Sequence, residues 1–193
     1  MLANTLSSWI NPMALKATIH KAEIIISNMD AGYYHTHALT IAQHPSETIE
    51  RLMLRLVVFA LHANEQLAFT RGLSAIDEPD VWQKSATGDI ELWIELGEPD
   101  ERRLRQACSL AREVWIYSYG RGTDVWWQGI QKKITRLKNL RVLRIAPTTI
   151  VELAKLHQRN MQLQATIQDN QLWLSSGDQC VSVEAEDIGV RGV

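Results

Sequence analysis

Between Leu52 and Leu61 the chain reads LMLRLVVFAL, nine apolar residues interrupted only by Arg55. Pro45-Ser46 upstream reads as a helix start, so the pattern predicts a helix from Pro45 to about Asn64. Apolar side chains fall nearly all round it, and only Arg51, Arg55 and His62 line up as a polar stripe. A surface helix needs one apolar face, whereas a helix of this kind has to be covered on most sides. The rest of the chain must supply that cover. At about 100° per residue, Glu50 falls between Val57 and Leu61, and Glu47 falls near Leu54 and Val58. A carboxylate on a covered face needs a partner or a cation. The alternative is an acid favoured by the positive end of the helix dipole.

The flanking segments alternate between strand and helix signals. Residues 14–42 read as two strands joined at Asn28–Gly32, where Asp30-Ala31-Gly32 marks a turn. Residues 66–74, 80–84 and 90–96 read as three strands, the last two separated by Thr87-Gly88-Asp89. A helix after Pro99 carries Leu104, Ala107, Cys108 and Ala111 at i, i+3, i+4 and i+7. Trp115–Tyr119 reads as a strand closed by Gly120. Helix, three strands, helix and strand call for an α/β fold, a mixed sheet with helices on its faces. Thr123–Leu137 reads as a helix packed through Trp126, Trp127 and Ile130, Leu140–Ile145 as a strand and Pro147–His157 as a short helix. MQLQATIQ and QLWLSS flank Asp169-Asn170 as an added antiparallel hairpin with one wet face, and Val181–Val183 reads as an edge strand. No repeat, low-complexity tract or linker interrupts the chain, so one domain is expected over 13–193, after a loose leader at 1–12 with Met13 as an alternative start.

Charge is unevenly distributed. Residues 1–100 hold 6 Lys/Arg against 13 Asp/Glu, residues 101–146 hold 11 against 3, and residues 147–193 hold 3 against 6. The net charge of −2 excludes a polycation drawn wholesale to nucleic acid. An acidic block followed by a basic block fits either a metal-and-phosphate site or ordinary pairing across a folded surface. Cys108 and Cys180 lie far apart and form no CxxC, which argues for a reducing compartment and a cytoplasmic protein. Cys108 falls on the apolar helix face as a core residue. No apolar run approaches the roughly 18 residues of a membrane span, and residues 1–12 lack the basic start of a signal peptide.

The segment IDEPDVWQKSATGDIELWIELGEPDERR, Ile76 to Arg103, crowds carboxylates around short apolar runs. Pro79-Asp80 stands at a strand start. On the following strand Ile90, Leu92, Ile94 and Leu96 share one face, while Glu91, Trp93, Glu95 and Gly97 share the other. An unpaired carboxylate such as Glu95 on a mid-sheet strand is costly. Mg²⁺ offers one reason for it, because it takes oxygen ligands in near-octahedral geometry. Asp80 and Glu95 would hold the ion with water and a substrate phosphate, and the ion would lower the pKa of a bound water. The alternative is that Asp80 caps a turn and Glu95 pairs with an arginine.

The strings MALKATIHKAE, QHPSETIERLMLRL, FTRGLSAIDEPDVW, WIELGEPDERRLRQAC and LQATIQDNQLWLS resemble the YaeQ family of bacterial proteins, from Met13 to about Glu184. That family looks like a divergent member of the PD-(D/E)xK nuclease superfamily. The resemblance implies a restriction-endonuclease-like core of helix, three strands, helix and strand. It also implies Asp80 as the first motif acid, with Asp77 as a competing choice, and Glu95 as the second. Glu47 or Glu50 would be the first-helix acid, and Mg²⁺ or Mn²⁺ the cofactor. The superfamily pattern places a lysine two residues after the second acid, where this chain has Gly97. Lys84 and the helix after Pro99 are the places to look for a substitute. There, Arg103 and Gln106 would face the phosphate. Arginine stabilises phosphate charge bidentately but stays protonated, so it replaces only the electrostatic part of the lysine's role.

Two functions therefore compete. One is a Mg²⁺-dependent nuclease or phosphodiesterase acting on nucleic acid. The other is a catalytically inactive protein of the same fold that binds nucleic acid or a protein partner. His35 and His37 share a strand face but lack a third ligand in sight, and an exposed strand accounts for them. Trp126-Trp127 near Lys132 and Lys133 offers base stacking as an alternative to packing on the sheet.

Overall fold

The computed structural model describes residues 17–75 and 77–189. At its centre lies α1 (Ile49–Leu61), with Leu52 to Ala60 all buried, Arg55 included. Its start differs from the sequence reading. Thr48, not Pro45, is the N-cap, and its hydroxyl accepts the Arg51 N–H at 3.3 Å. A β-hydroxyl at the cap satisfies a helix-end donor that Pro45 cannot reach. Glu47 consequently lies before the helix rather than on its wheel.

The cover is a mixed sheet. Among the described residues the strands are β1 (Thr18–Asn28), β2 (Tyr33–Gln43), β3 (Leu67–Phe69), β4 (Val81–Lys84), β5 (Ile90–Leu96), β6 (Ala111–Ser118), β7 (Leu140–Ile145), β8 (Asn160–Gln168), β9 (Gln171–Ser176) and β10 (Gln179–Asp187). They form one ten-stranded sheet in the order β2-β1-β8-β9-β10-β7-β6-β5-β4-β3. The sheet curls around α1 until it is nearly closed. Phe59 of α1 touches both outermost strands, His37 of β2 at 5.2 Å and Phe69 of β3 at 5.1 Å between ring centres. A helix apolar all round is thus buried because the sheet wraps it. The core inside the curl is joined by α4 (Pro147–Lys155) through Ile150 and Leu153.

A second apolar layer lies on the outer face. There α2 (Glu101–Leu110) and α3 (Thr123–Ile134) pack Leu104, Ala107, Ile130 and Ile134 against Trp93, Val114, Ile116 and Val142. Trp126 and Trp127 pack against this layer too, and so does Cys108, whose thiol is pushed up to about 11 by burial. The order helix, three strands, helix, strand is realised as α1, β3–β5, α2 and β6, with β5, β6 and β7 parallel.

Three elements depart from the sequence reading. The expected strand over 66–74 is only Leu67–Phe69, followed by a 3-10 turn at Gly72–Ser74 in which Gly72 takes φ +52°. β6 begins at Ala111, directly after α2, because Ala111 pairs with Ile90. β10 is not a short edge strand. It runs for nine residues, pairs with β9 at one end and β7 at the other, and so joins the two halves of the sheet. The β8–β9 turn stands as read, with Asp169 and Asn170 at φ +53° and +60°, the left-handed pair that a two-residue hairpin requires.

Candidate acidic site

Arg51 and Arg55 leave the inner face of α1's first turns where β4 begins. Asp80, 2% exposed, sits at that strand start, and its backbone N–H still donates to Ile94 O at 3.0 Å. Both of its carboxylate oxygens are engaged. Oδ1 accepts from Arg51 Nη2 at 2.6 Å and Oδ2 from the Leu96 N–H at 2.8 Å. Glu47 is likewise saturated, by Arg51 Nη1 at 2.9 Å and by Arg55 Nη2 at 2.8 Å. Arg55 Nη2 also donates to the Ala42 carbonyl at 2.9 Å, while its Nε has no partner among the described residues. Two acids and two arginines therefore form a closed clasp in the core. Burial opposes the charge on Arg51, but Asp80 and Glu47 outweigh it and hold the guanidinium above its ordinary value. On Arg55 burial wins over Glu47 and Asp80, and its value is lowered. Gly72 closes over the clasp: a Cβ there would lie 3.6 Å from Arg55 Nη1 and 3.7 Å from Asp80 Oδ1.

Glu95 looks the other way. Ile94 and Leu96 face the inner core and Trp93 the outer layer, so alternation turns Glu95 outward toward α2. Its oxygens accept from Arg103 Nε at 2.9 and 3.0 Å, and Oε2 also accepts from Trp93 Nε1 at 3.1 Å. Arg103 stacks over the Trp93 ring at 4.9 Å and donates Nη2 to the Glu78 carbonyl at 2.7 Å. Burial pushes the Glu95 carboxyl up, against the pull of Arg103 and Trp93, and nearby Asp80 adds to the rise. Asp80 and Glu95 are thus neighbours across the β4–β5 pair, but Asp80 is spent on α1 and Glu95 on α2.

The remaining expected residues spread around these two centres. Glu50, in the first turn of α1, is half-buried beside Tyr119, whose hydroxyl is raised mainly by burial, with Asp80, Glu47 and Glu50 adding to it against Arg51. Asp77 and Gln106 line an open groove of about 780 Å³ together with Asp100, Arg102, Arg103 and Arg105. Lys84 lies beyond a β4 bulge with its Nζ 3.5 Å from the Trp82 ring. Gly97 takes φ +105° and donates its N–H to the Tyr117 carbonyl at 2.9 Å. Among the described residues, no three His, Cys, Asp or Glu side chains group closely enough to hold a metal ion. His35 and His37 lie 4.8 Å apart on β2, and His37 is hydrogen-bonded to Tyr33 Oη at 2.9 Å.

Sequence reasoning missed Arg51 as the hub. The signal was present, since Arg51 and Arg55 interrupt an otherwise apolar helix, but their acid partners lie far along the chain or just ahead of the helix cap. No helix among the described residues is long and apolar enough to cross a membrane.

Comparison with known proteins agrees in fold and sequence. The family model described as YaeQ protein matches residues 13–185. Relatives described as uncharacterized protein YaeQ are 48% identical in Salmonella typhi and 46% in Escherichia coli strain K12, each over 164 residues covering 84% of this chain and 91% of the relative. The crystal structure of YaeQ protein from Xanthomonas axonopodis pv. citri matches with a TM-score of 0.86 at 44% identity, covering 90% of this chain and 99% of that one. That of YaeQ protein from Pseudomonas syringae matches with a TM-score of 0.86 at 34% identity, covering 91% and 98%.

Proposed function

The chain belongs to the YaeQ family, and from that premise we propose that it is a hydrolytically silent protein of restriction-endonuclease-like arrangement that binds the phosphate backbone of nucleic acid along α2. The order α1, β3–β5, α2 and β6 supports the fold part of this reading. The observation that carries the functional part is the saturation of the acids. Asp80, Glu47 and Glu95 are each held by arginine, which stays protonated and cannot take a proton from water. As placed, these oxygens do not fit Mg²⁺ or Mn²⁺, because the ion would have to displace Arg51 from Asp80 and Arg103 from Glu95. The groove beside Glu95 supports the binding part. Arg102, Arg103 and Arg105 line it with Gln106 and Ser109, against Asp77 and Asp100. Guanidinium groups match phosphate bidentately, and α2 belongs to the segment with 11 basic against 3 acidic residues.

With Arg103 held on Glu95, Arg102 and Arg105 neutralising about two phosphates give a slope of log K on log salt of roughly −1 to −2. Fluorescence anisotropy with labelled single- and double-stranded DNA and RNA measures it. Replacing Arg102 and Arg105 by Ala should lower the slope by about one each. An absence of binding to all four at low salt overturns the proposal.

One observation favours a second reading, a Mg²⁺-dependent phosphodiesterase. Asp80 neighbours Glu95, whose raised carboxyl is the state that a divalent ion relieves. Cleavage in Mn²⁺ that disappears with Asp80→Asn would favour it over silent binding.

A further inference from the structure

Three side chains from three parts of the chain form one polar relay at the start of β1. His20 of β1 is 4% exposed. Its Nε2 lies 2.9 Å from Gln43 Oε1 at the end of β2, and its Nδ1 lies 3.1 Å from Nε2 of His157, two residues past α4. The far end of the relay fixes its protons. Gln43 Nε2 donates to the Glu47 carbonyl at 2.8 Å, so Gln43 Oε1 is an acceptor. His20 Nε2 must then carry the hydrogen, which leaves Nδ1 of the neutral ring bare to accept from the His157 Nε2–H. The charges around the two rings are engaged elsewhere. On α4, Glu152 pairs with Lys155 at 2.6 Å. Ahead of α1, Glu47 is held by Arg51 and Arg55, and His44 by Ser46. Lys21 and Glu23 lie on the opposite face of β1, and Arg159 is exposed. Among the described residues no carboxylate pairs with either imidazole.

We propose that the His20–His157 pair is an acid-released latch, which pins the end of α4 to β1 while the two rings share at most one proton and lets go when both are charged. The first proton costs no bond. On whichever ring it settles, one N–H still faces one bare nitrogen, and the hydrogen bond becomes charge-assisted. The second proton leaves N–H against N–H. The bond is then lost, and two cations face each other with no carboxylate to offset them. Burial and the neighbouring His20 ring both push His157 down, as reluctance toward the second proton requires. A histidine whose folded value is lowered supports the fold above its ordinary value and withdraws that support as pH falls through the folded one. The latch closes one edge of the inner core, where Leu156 beside His157 and Met161 in β8 are each 2% exposed. Three backbone bonds report on it: the Leu156 and His157 N–H groups donate to Leu153 and Ala154, and the Lys21 N–H to the Arg159 carbonyl. This inference does not rest on the nucleic-acid reading, because none of these residues lines the α2 groove.

Imidazole nitrogen NMR and amide exchange on the full chain, from about pH 7.5 to about 4.5, test it. The expected titration has two coupled steps reported by both rings. Across the lower step, protection at the Lys21, Leu156 and His157 amides should fall about tenfold or more, after correction for the intrinsic exchange rate. The reference is the Leu104 amide of α2, bonded to the Asp100 carbonyl, which registers any loss of global stability. In His157→Gln, which keeps a donor for His20 and cannot titrate, the local loss should vanish. His35→Gln, exposed on β2, should behave as wild type. Independent single steps for the two rings overturn the latch, and so does a local loss that persists in His157→Gln. Should that variant fold poorly, the wild type decides alone: protection at the three amides that tracks Leu104 at every pH overturns the proposal.

Discussion

Arg51→Met removes the hub of the clasp while keeping most of the side-chain stem. It deletes the 2.6 Å contact to Asp80 and the 2.9 Å contact to Glu47. Asp80 then keeps one donor, the Leu96 N–H, and Glu47 keeps Arg55. The acids are 3% and 2% exposed at the side chain and Arg51 is 11% exposed, so water cannot easily replace the lost guanidinium. Breaking a buried pair by removing one partner costs about 3–5 kcal/mol. Because Arg51 retains some exposure and each acid keeps a partner, the lower end, about 3 kcal/mol, is expected. That is a large share of the roughly 5–15 kcal/mol stabilising a typical domain. At about 2–4 °C per kcal/mol for a chain of this size, Tm should fall by roughly 6–12 °C. Urea unfolding at neutral pH, followed by tryptophan fluorescence and circular dichroism, measures the loss. In Arg51→Met/Asp80→Asn, which removes the orphaned charge as well, the loss should fall short of the sum of the single losses by about 1–3 kcal/mol. A loss below about 1 kcal/mol, the level of an exposed pair, would refute the clasp and leave the acids available to another cation.

Two further outcomes follow from the titrating groups. His62, hydrogen-bonded to Tyr117 Oη at 2.7 Å, is pushed down to about 4 by burial, with Arg141 adding to the effect. Between about 6.5 and 4 the unfolded chain takes a proton that the folded one refuses, so stability falls as pH falls, by up to about 3 kcal/mol. His62→Gln should flatten that part of the urea stability curve, and an unchanged slope would show that His62 is not responsible. Glu95, raised by burial, is held back by Arg103. A raised carboxyl favours the folded state at low pH and loses that contribution as pH rises through its folded value. In carboxyl-carbon NMR titrations, Glu95 should titrate above the ordinary glutamate range and move higher still in Arg103→Gln. A fall in that variant would contradict the pairing.

The elements that were legible in the sequence are those whose signals are local. The apolar circumference of α1, the Asp169-Asn170 turn and the alternation of β5 each state their environment within a few residues. What escaped depends on distant partners. Ala111-Arg112-Glu113 continue a helical pattern, yet parallel pairing with β5 draws them into β6. The acidic end of β10 lies beyond the edge strand read at Val181–Val183, and pairing with β7 draws it into the sheet. Glu47 falls on the helical wheel only if the helix starts at Pro45, and the Thr48 cap puts it outside. Asp80 and Glu95 were both legible as important acids, because a carboxylate in a sheet demands a partner. Which partner each takes was not, because Arg51 lies 29 residues before Asp80 and comes from a different layer from Arg103.

The account stands or falls on whether those acids are already occupied by arginine. A crystal soaked in Mn²⁺ and examined by anomalous diffraction tests this directly. The account predicts no anomalous peak between Asp80 and Glu95, with Arg51 still on Asp80 and Arg103 still on Glu95. A peak bridging the two carboxylates, with either guanidinium swung aside, would contradict it.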